Sequence, residues 1–280
     1  MSQEQPDVQD GIEYWNTQPA SLDGVLGGYG SGSLPRVDAL GSRLFLLNLY
    51  PELSTVPSAF RPLDAPQNAP RTRALDVGAG IGRVTADVLL HLVSDVVLLE
   101  PVESFVQQAL ASARKNASEA PSASAKVSWP GLADQSKSVT ILQGTLQDFD
   151  PQMPHRARFL DRVGYQSPHP TEDINSGFDV IWCQWCLGHL SNVDLVAFFQ
   201  RSRVSLRKDK HSVIVVKENV CSDGPDGSAE IMFDEQDSSL TRSDLAWKSI
   251  FAAAGLKLVE EKVQDGLPDG LFAVKMYALR

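Results

Sequence analysis

The residues best suited to chemistry fall in a few short stretches. "LDVGAGIGR" (residues 75–83) runs an apolar segment through Asp76 into Gly78, Gly80 and Gly82, and then into a helical pattern. Glycines after a strand let the chain turn sharply and let a ligand approach the backbone. Glu100 closes the next apolar run, "DVVLLE", where a carboxylate can take the two hydroxyls of a ribose. The spacing is G-x-G-x-G and not the dinucleotide G-x-G-x-x-G, so the pattern fits an adenosine-containing ligand without choosing it. "DVIWCQWCLGHLSNVDL" places Gln184, Trp185 and His189 at a strand's carboxyl end. A Trp there is a flat platform or a packing residue, and a lone His is a base or a structural group. "MFDEQDSSLTRS" gathers Asp234, Glu235 and Asp237 within four residues of a loop expected to lead into a helix. Asp237 or Ser239 could cap that helix, and the surplus carboxylates suit a cationic substrate. "LDGVLGGYG" (residues 22–30) is glycine-rich, yet no Lys and no Ser or Thr follows its Gly-Gly pair as a phosphate loop would need.

Alternating elements must position these groups. "RALDV", "DVVLLE", "SVTILQG", "FDVIWCQW" and "HSVIVVKEN" read as buried strands separated by helical stretches, and "LKLVEEKVQ" and "LFAVKMYALR" read as two closing strands with no helix between them. Strands alternating with helices imply an α/β fold, a doubly wound and mostly parallel sheet, here of seven strands with an antiparallel terminal pair. In "NVDLVAFFQRSRVSL" the expected inward side carries Val193, Val196, Phe199 and Val204. Residues 1–70 read as an N-terminal arm with a helical cover, joined by Pro-rich "RPLDAPQNAP" to a domain over 71–280. Two stretches near 117–137 and 151–177 break the alternation and read as partly disordered loop insertions.

The 280-residue chain carries a formal net charge of −10, which disfavours nucleic acid and anionic membranes and favours cationic partners. Its polar opening "MSQEQPDVQD", the absence of an apolar run near the roughly 20 residues a membrane helix needs, and an odd count of three cysteines lead to an expectation of a soluble, intracellular protein. Cys183-x-x-Cys186 lacks a second ligand pair, so no metal is expected and Cys183 reads as a core residue.

"DVGAGIGR" resembles motif I of the class I methyltransferases, which use S-adenosyl-L-methionine. Together with "YWNTQPASLDGVLGGYG", "LQDF", "IWCQWCLGHLS", "VKEN", "DEQDSSLTRS" and "LPDGLF…ALR", it makes the chain similar, from about Tyr14 to Arg280, to the protein N-terminal (alpha-N) methyltransferases. That resemblance implies a Rossmann-like fold and methylation of the free α-amine of proteins that begin X-Pro-Lys after Met removal. It implies cofactor contacts at Gly78, Arg83, Glu100, Leu146, Gln147 and Gln184, with Gly80, Gly82, Pro101 and Val102 beside them, and Arg83 pairing with the methionine carboxylate. It implies Trp185 against the substrate proline, Asn219 on the first residue's backbone, and Asp234 and Glu235 on the substrate lysine. Asp237 and His189 match the pair that takes the α-amine proton, and Trp15 and Leu26 match residues that close over the peptide. Glu100 stands where the family more often has Asp, and Phe272 stands where animal members carry a Tyr. Ribosomal proteins, and a cytoplasmic or also nuclear location, are the expected context. A small-molecule amine methyltransferase and a non-catalytic cofactor-binding partner are the alternatives.

Overall fold

The computed structural model describes residues 4–56, 71–118 and 129–280. The Pro-rich linker at 61–70 and residues 119–128 of the first insertion lie outside them.

The strands are β1 (Arg73–Val77), β2 (Asp95–Glu100), β3 (Ser138–Gln143), β4 (Arg158–Gly164), β5 (Val180–Gln184), β6 (Val213–Cys221), β7 (Ile231–Asp234), β8 (Ser239–Ser243), β9 (Leu258–Val263) and β10 (Ala273–Leu279). The helices are α1 (Val8–Thr17), α2 (Leu34–Leu49), α3 (Arg83–Asp87), α4 (Glu103–Ser118), α5 (Pro170–Ile174), α6 (Asn192–Ser205) and α7 (Asp244–Ala253). One sheet runs β4-β3-β2-β1-β5-β6-β10-β9, with the β7–β8 hairpin attached through β8 to β6. Strands β3, β2, β1, β5 and β6 are mutually parallel. The closing strands are antiparallel as expected, and β10 inserts between β6 and β9.

The central strands are buried on both faces, which explains their unbroken apolar runs. Alternate residues serve alternate layers: Ala74, Leu98 and Trp182 pack with Leu46 of α2 and Val106 of α4, whereas Leu75, Val97 and Ile181 pack with Phe198 of α6 and Trp247 of α7. Helix α2 is thus part of the core of the domain it precedes.

Beyond the seven expected strands the sheet has three more, β4, β7 and β8. The second insertion, read as partly disordered loop, holds β4 and α5. Strand β4 was hidden because it is an edge strand, paired antiparallel to β3 and rich in charge. Arg162 pairs with Asp173 and Asp95, and Arg114 with Asp161, so that charge is what fastens it. The described end of the first insertion also folds inward, with Trp129 and Leu132 in the core. The acidic loop is the β7–β8 hairpin, and α7 is capped by Ser243, whose hydroxyl accepts from the Ala246 amide, and not by Asp237 or Ser239. In α6, Val193 and Val204 are exposed; the buried stripe is Leu195, Phe198, Phe199 and Ser202, which follows the i, i+3, i+4, i+7 rule that the four residues expected there do not.

Candidate active site

From β1 the sheet grows outward through β2 and β3, and the chain then returns to β5 on the other side of β1. Neighbouring strands whose connections diverge leave a crevice at their carboxyl ends. Into it come the glycine loop after β1 and residues 184–189 after β5. A Cβ at Gly78 would overlap Cys186, and one at Gly82 would overlap Trp129, so these two glycines serve packing. Gly80, at φ +56°, has nothing nearer its Cβ position than Val25 Cγ1 at 3.7 Å and faces open space. The cleft it borders has a volume of about 990 Å³ including its mouth. Gly78, Gly80, Arg83, Glu100, Pro101, Val102, Leu146, Gln147 and Gln184 line it, and Val8, Gly11, Ile12 and Trp15 of α1 cover it. Every residue expected at the cofactor is brought together there except Gly82, which packs beneath.

Charges in this cleft are buried and held by partners. Glu100 Oε2 accepts from the Gly80 amide at 2.7 Å and Oε1 from the Val102 amide at 2.9 Å. The longer side chain thus reaches back to the loop, and burial pushes its carboxyl up to about 7 against the pull of those two amides. Burial likewise pushes Asp76, which accepts from the Thr85 hydroxyl at 2.6 Å, up to about 6. Arg83 pairs with Asp38 of α2 at 2.6 Å, and Gln184 Nε2 donates to the other Asp38 oxygen at 2.8 Å. Lys217 Nζ lies 2.6 Å from that same oxygen. Burial alone would raise the Asp38 carboxyl, but Arg83 and Lys217 outweigh it and its pKa is lowered.

A second cleft, about 1310 Å³ with its open mouth, adjoins the first across Trp15, Trp185 and His189. Leu26, Asn219, Asp237 and Phe272 also line it. Trp185 sits at φ +54°, a left-handed conformation that costs an L-residue roughly 1–2 kcal/mol. Its indole Nε1, His189 Nδ1 and Asp237 Oδ1 are all buried without a partner among the described residues. Trp15 Nε1 donates to His189 Nε2 at 3.0 Å, which leaves the neutral ring its proton on Nδ1. Burial lowers the His189 pKa, against the attraction of the Asp237 charge and the Ser238 backbone, so the imidazole is neutral at pH 7. The turn bearing His189 is pinned from below: Glu218 Oε1 accepts from the Cys186 and Leu187 amides, each at 3.0 Å, and Arg242 donates to the Leu187 and Leu190 carbonyls. Asp234 and Glu235 stand exposed at the hairpin tip, outside the lining of either cleft, with Asp234 Oδ1 taking the Gln236 amide at 2.8 Å.

Helix α1 is the roof over both clefts. Asp7 caps it through the Gln9 and Asp10 amides, and the Asp7 amide donates to Ser238 Oγ on the hairpin at 2.8 Å. Gly11 lies mid-helix, where glycine costs about 1 kcal/mol. Its added Cβ would stand 3.1 Å from His189 Nδ1, so the glycine is what lets the helix lie on the histidine ring. The stretch "LDGVLGGYG" folds as a 3₁₀ turn over Gly24–Leu26 that sends Val25 to the first cleft and Leu26 to the second. The thiols of Cys183 and Cys186 are free and buried, their pKa values pushed up by burial, and Cys186 donates to the Val77 carbonyl.

The sequence pattern of a family described as AdoMet dependent proline di-methyltransferase matches residues 3–280. The chain belongs to this family. It is 36% identical over 271 residues to alpha N-terminal protein methyltransferase 1 of Arabidopsis thaliana, covering 97% of this chain and 78% of that one. It is 31% identical over 268 residues to N-terminal Xaa-Pro-Lys N-methyltransferase 1 of Homo sapiens, covering 95% and 92%. A solved SAM-dependent methyltransferase from Leishmania major superposes with a TM-score of 0.66 at 30% identity, over 98% of this chain and 82% of that one.

As a member of this methyltransferase family the protein uses S-adenosyl-L-methionine, and the first cleft fits that molecule. Gly80 leaves backbone open to a ligand, Glu100 presents a carboxylate, and Arg83 brings a cation to the cleft wall. Residues the sequence reading passed over are Asp38, Lys217, Glu218 and Arg242, which position the others from behind. Lys217 and Glu218 had a signal, two adjacent charges inside an apolar strand, "VIVVKENVC". Asp38 had none, since one acid in a helix is ordinary.

Proposed function

We propose that this chain methylates the free α-amino group of proteins that begin X-Pro-Lys, with the second cleft as the peptide site. The observation that carries the reading is the set of unpartnered buried atoms, Trp185 Nε1, His189 Nδ1 and Asp237 Oδ1, around a strained Trp185 beside the cofactor cleft. Other buried atoms lack partners too, among them Ser202 Oγ and Trp247 Nε1, but these three border an open cleft, where a bound ligand can complete them. A proline at position two offers a rigid ring with no N–H, and Trp185 offers a flat wall to receive it. Asn219 has the amide to hold the first residue's backbone, and Leu26, Phe272 and Trp15 exclude water. Asp234 and Glu235 at the hairpin tip suit a lysine ammonium leaving the cleft.

S-adenosyl-L-methionine, when bound, would supply an electrophilic methyl group. An α-amine has a pKa of about 7.7–8.0, so binding must deliver its neutral form. Asp237 attracts the ammonium, and His189, a neutral imidazole, receives the proton, with the Asp237 charge offsetting the cost of burying the imidazolium. The acceptor atom is Nε2, so the Trp15 N–H must first turn away from it. Arg83 would hold the methionine carboxylate, Glu100 the ribose, and Leu146 and Gln147 the adenine. Positioning then provides much of the rate.

Mass spectrometry of a Ser-Pro-Lys or Pro-Pro-Lys peptide, after incubation with cofactor, should show added methyl groups on the α-amine. An acetylated copy should stay unmodified. Transfer to the lysine side chain, or to small amines in preference to both peptides, would defeat the reading. The same proposal extends to ribosomal proteins as substrates in the cytoplasm and nucleus, and unmethylated ribosomal N-termini in cells lacking the gene would support it.

A further inference from the structure

Asp38 is fully buried on α2, in the N-terminal segment, and its two oxygens receive three donors from three different parts of the domain. Arg83 Nη1 reaches Oδ2 at 2.6 Å; Gln184 Nε2 and Lys217 Nζ reach Oδ1 at 2.8 and 2.6 Å. Gln184 is itself fixed from behind, because Trp182 Nε1 donates to its Oε1 at 3.0 Å. Lys217 is fully buried as well, and donates also to Ser42 Oγ and Gln264 Oε1, each at 2.9 Å. Arg83 and Gln184 both line the cofactor cleft. The Arg83 guanidinium takes no second protein acceptor among the described residues, so its remaining N–H groups are kept for the cleft. It also lies 5.4 Å over the Trp185 ring, at the border with the peptide cleft.

We propose that Asp38 is a positioning residue for methyl transfer: it holds Arg83 and Gln184 in place for the methionine end of the cofactor, and so makes cofactor affinity depend on the docking of α2. The proposal rests on the reading of Arg83 as the partner of the methionine carboxylate. An arginine on a cleft wall has several rotatable bonds, and ordering it only on binding costs affinity. Asp38 removes that cost beforehand by occupying one guanidinium nitrogen and leaving the others directed at the ligand. Gln184 is held by the same carboxylate, so the two groups keep a fixed separation. An asparagine cannot replace Asp38, because three donors converge on its two oxygens and an amide nitrogen would face at least one of them. Removing the carboxylate that separates Arg83 and Lys217 would also set two buried cations against each other.

The test compares two ligands by calorimetry. S-adenosylhomocysteine carries the amino-acid end; 5′-methylthioadenosine has the same adenosyl thioether without it. Asp38→Asn should weaken S-adenosylhomocysteine by about tenfold or more while methylthioadenosine stays within about twofold. Arg83→Met should show the same selective loss, and the double variant should lose far less than the product of the two, because Asp38 acts through Arg83. If Arg83→Met shows the selective loss and Asp38→Asn does not, the proposal is wrong and the Arg83 reading stands. If Arg83→Met binds both ligands like the parent, the Arg83 reading itself fails. Equal weakening of both ligands by Asp38→Asn overturns the proposal, since Asp38 would then serve the fold alone. Should that variant not fold, Asp38→Asn with Lys217→Met removes the anion together with one buried cation, and the same ligand split is expected of it.

Discussion

The first cleft and the second, proposed above as the peptide site, share a wall and differ in how their polar groups are satisfied. In the first, each buried charge already has partners: Glu100 holds two amides, Asp76 holds the Thr85 hydroxyl, and Arg83 holds Asp38. In the second, Trp185, His189 and Asp237 each keep a buried polar atom unpaired. The first is built on strand ends and the loops directly after them, and is roofed by α1 and Val25. The second draws on α1, the turn over Gly24–Leu26, β6, the hairpin and the loop before β10. A cofactor is the same molecule in every cycle, so its site can be complete in advance. A peptide N-terminus varies at its first residue, and its site is completed by the substrate.

The largest expected effect tests that division directly. Asp237→Asn removes the charge beside His189 and should lower kcat on an X-Pro-Lys peptide by about a hundredfold or more, with S-adenosylhomocysteine affinity near that of the parent. Equal losses in both would mean that the clefts are one functional unit. Next in size is Glu218→Ala. Two buried amides of the His189 turn would lose their acceptor, at a cost of roughly 1–3 kcal/mol, read as a lower unfolding midpoint and a loss of turnover exceeding the loss of cofactor binding.

A smaller effect separates the clefts by pH. With the Glu100 pKa pushed up to about 7, the ligand-free group takes a proton as pH falls through 7. On the proposed role of Glu100, ribose hydroxyls would donate to the ionised carboxylate, so cofactor binding would favour proton release and affinity should fall on the acid side. Between pH 8 and 6 the loss in S-adenosylhomocysteine affinity should approach about tenfold, the limit for one group being a decade per pH unit. Glu100→Gln should bind more weakly at pH 8 and show a nearly flat profile; a profile unchanged by that substitution would place the titration elsewhere. The smallest effect is Trp15→Phe. An N–H donated to Nε2 favours neutral imidazole, so its removal should move the His189 pKa upward, towards the ordinary histidine value. NMR titration of the ring proton would record it, and no movement would mean that the Trp15 N–H does not contribute to that pKa.

What could be read in advance follows the same boundary. The glycine loop, Glu100 and the central strands were legible because each depends on neighbours close in sequence: a strand, the turn after it, the acid ending the next strand; "LQDF" was legible only through the family resemblance. Strand β4 was not, because charge on an exposed edge hides its period, and its ion pairs reach back to Asp95 and Arg114. The hairpin was mistaken for a loop before a helix because its acids resemble a cap, while the cap is Ser243. On helix α6, Phe199 and Val196 face the core as expected while Val193 and Val204 do not, since valine at helical spacing is no guarantee of burial when phenylalanines compete for the core.

By itself the sequence determined the α/β alternation, the glycine loop that borders the first cleft and, through its resemblance, the family, because local turns and apolar periodicity act over a few residues. Tertiary structure alone decided that Gly11 lets α1 lie on His189, that Glu218 and Arg242 pin the turn beneath it, and that Asp38 joins Arg83, Gln184 and Lys217. These pairings span from tens of residues to nearly two hundred. Once buried, such groups must find partners wherever the packed chain provides them, and no spacing in the sequence records which partner that will be.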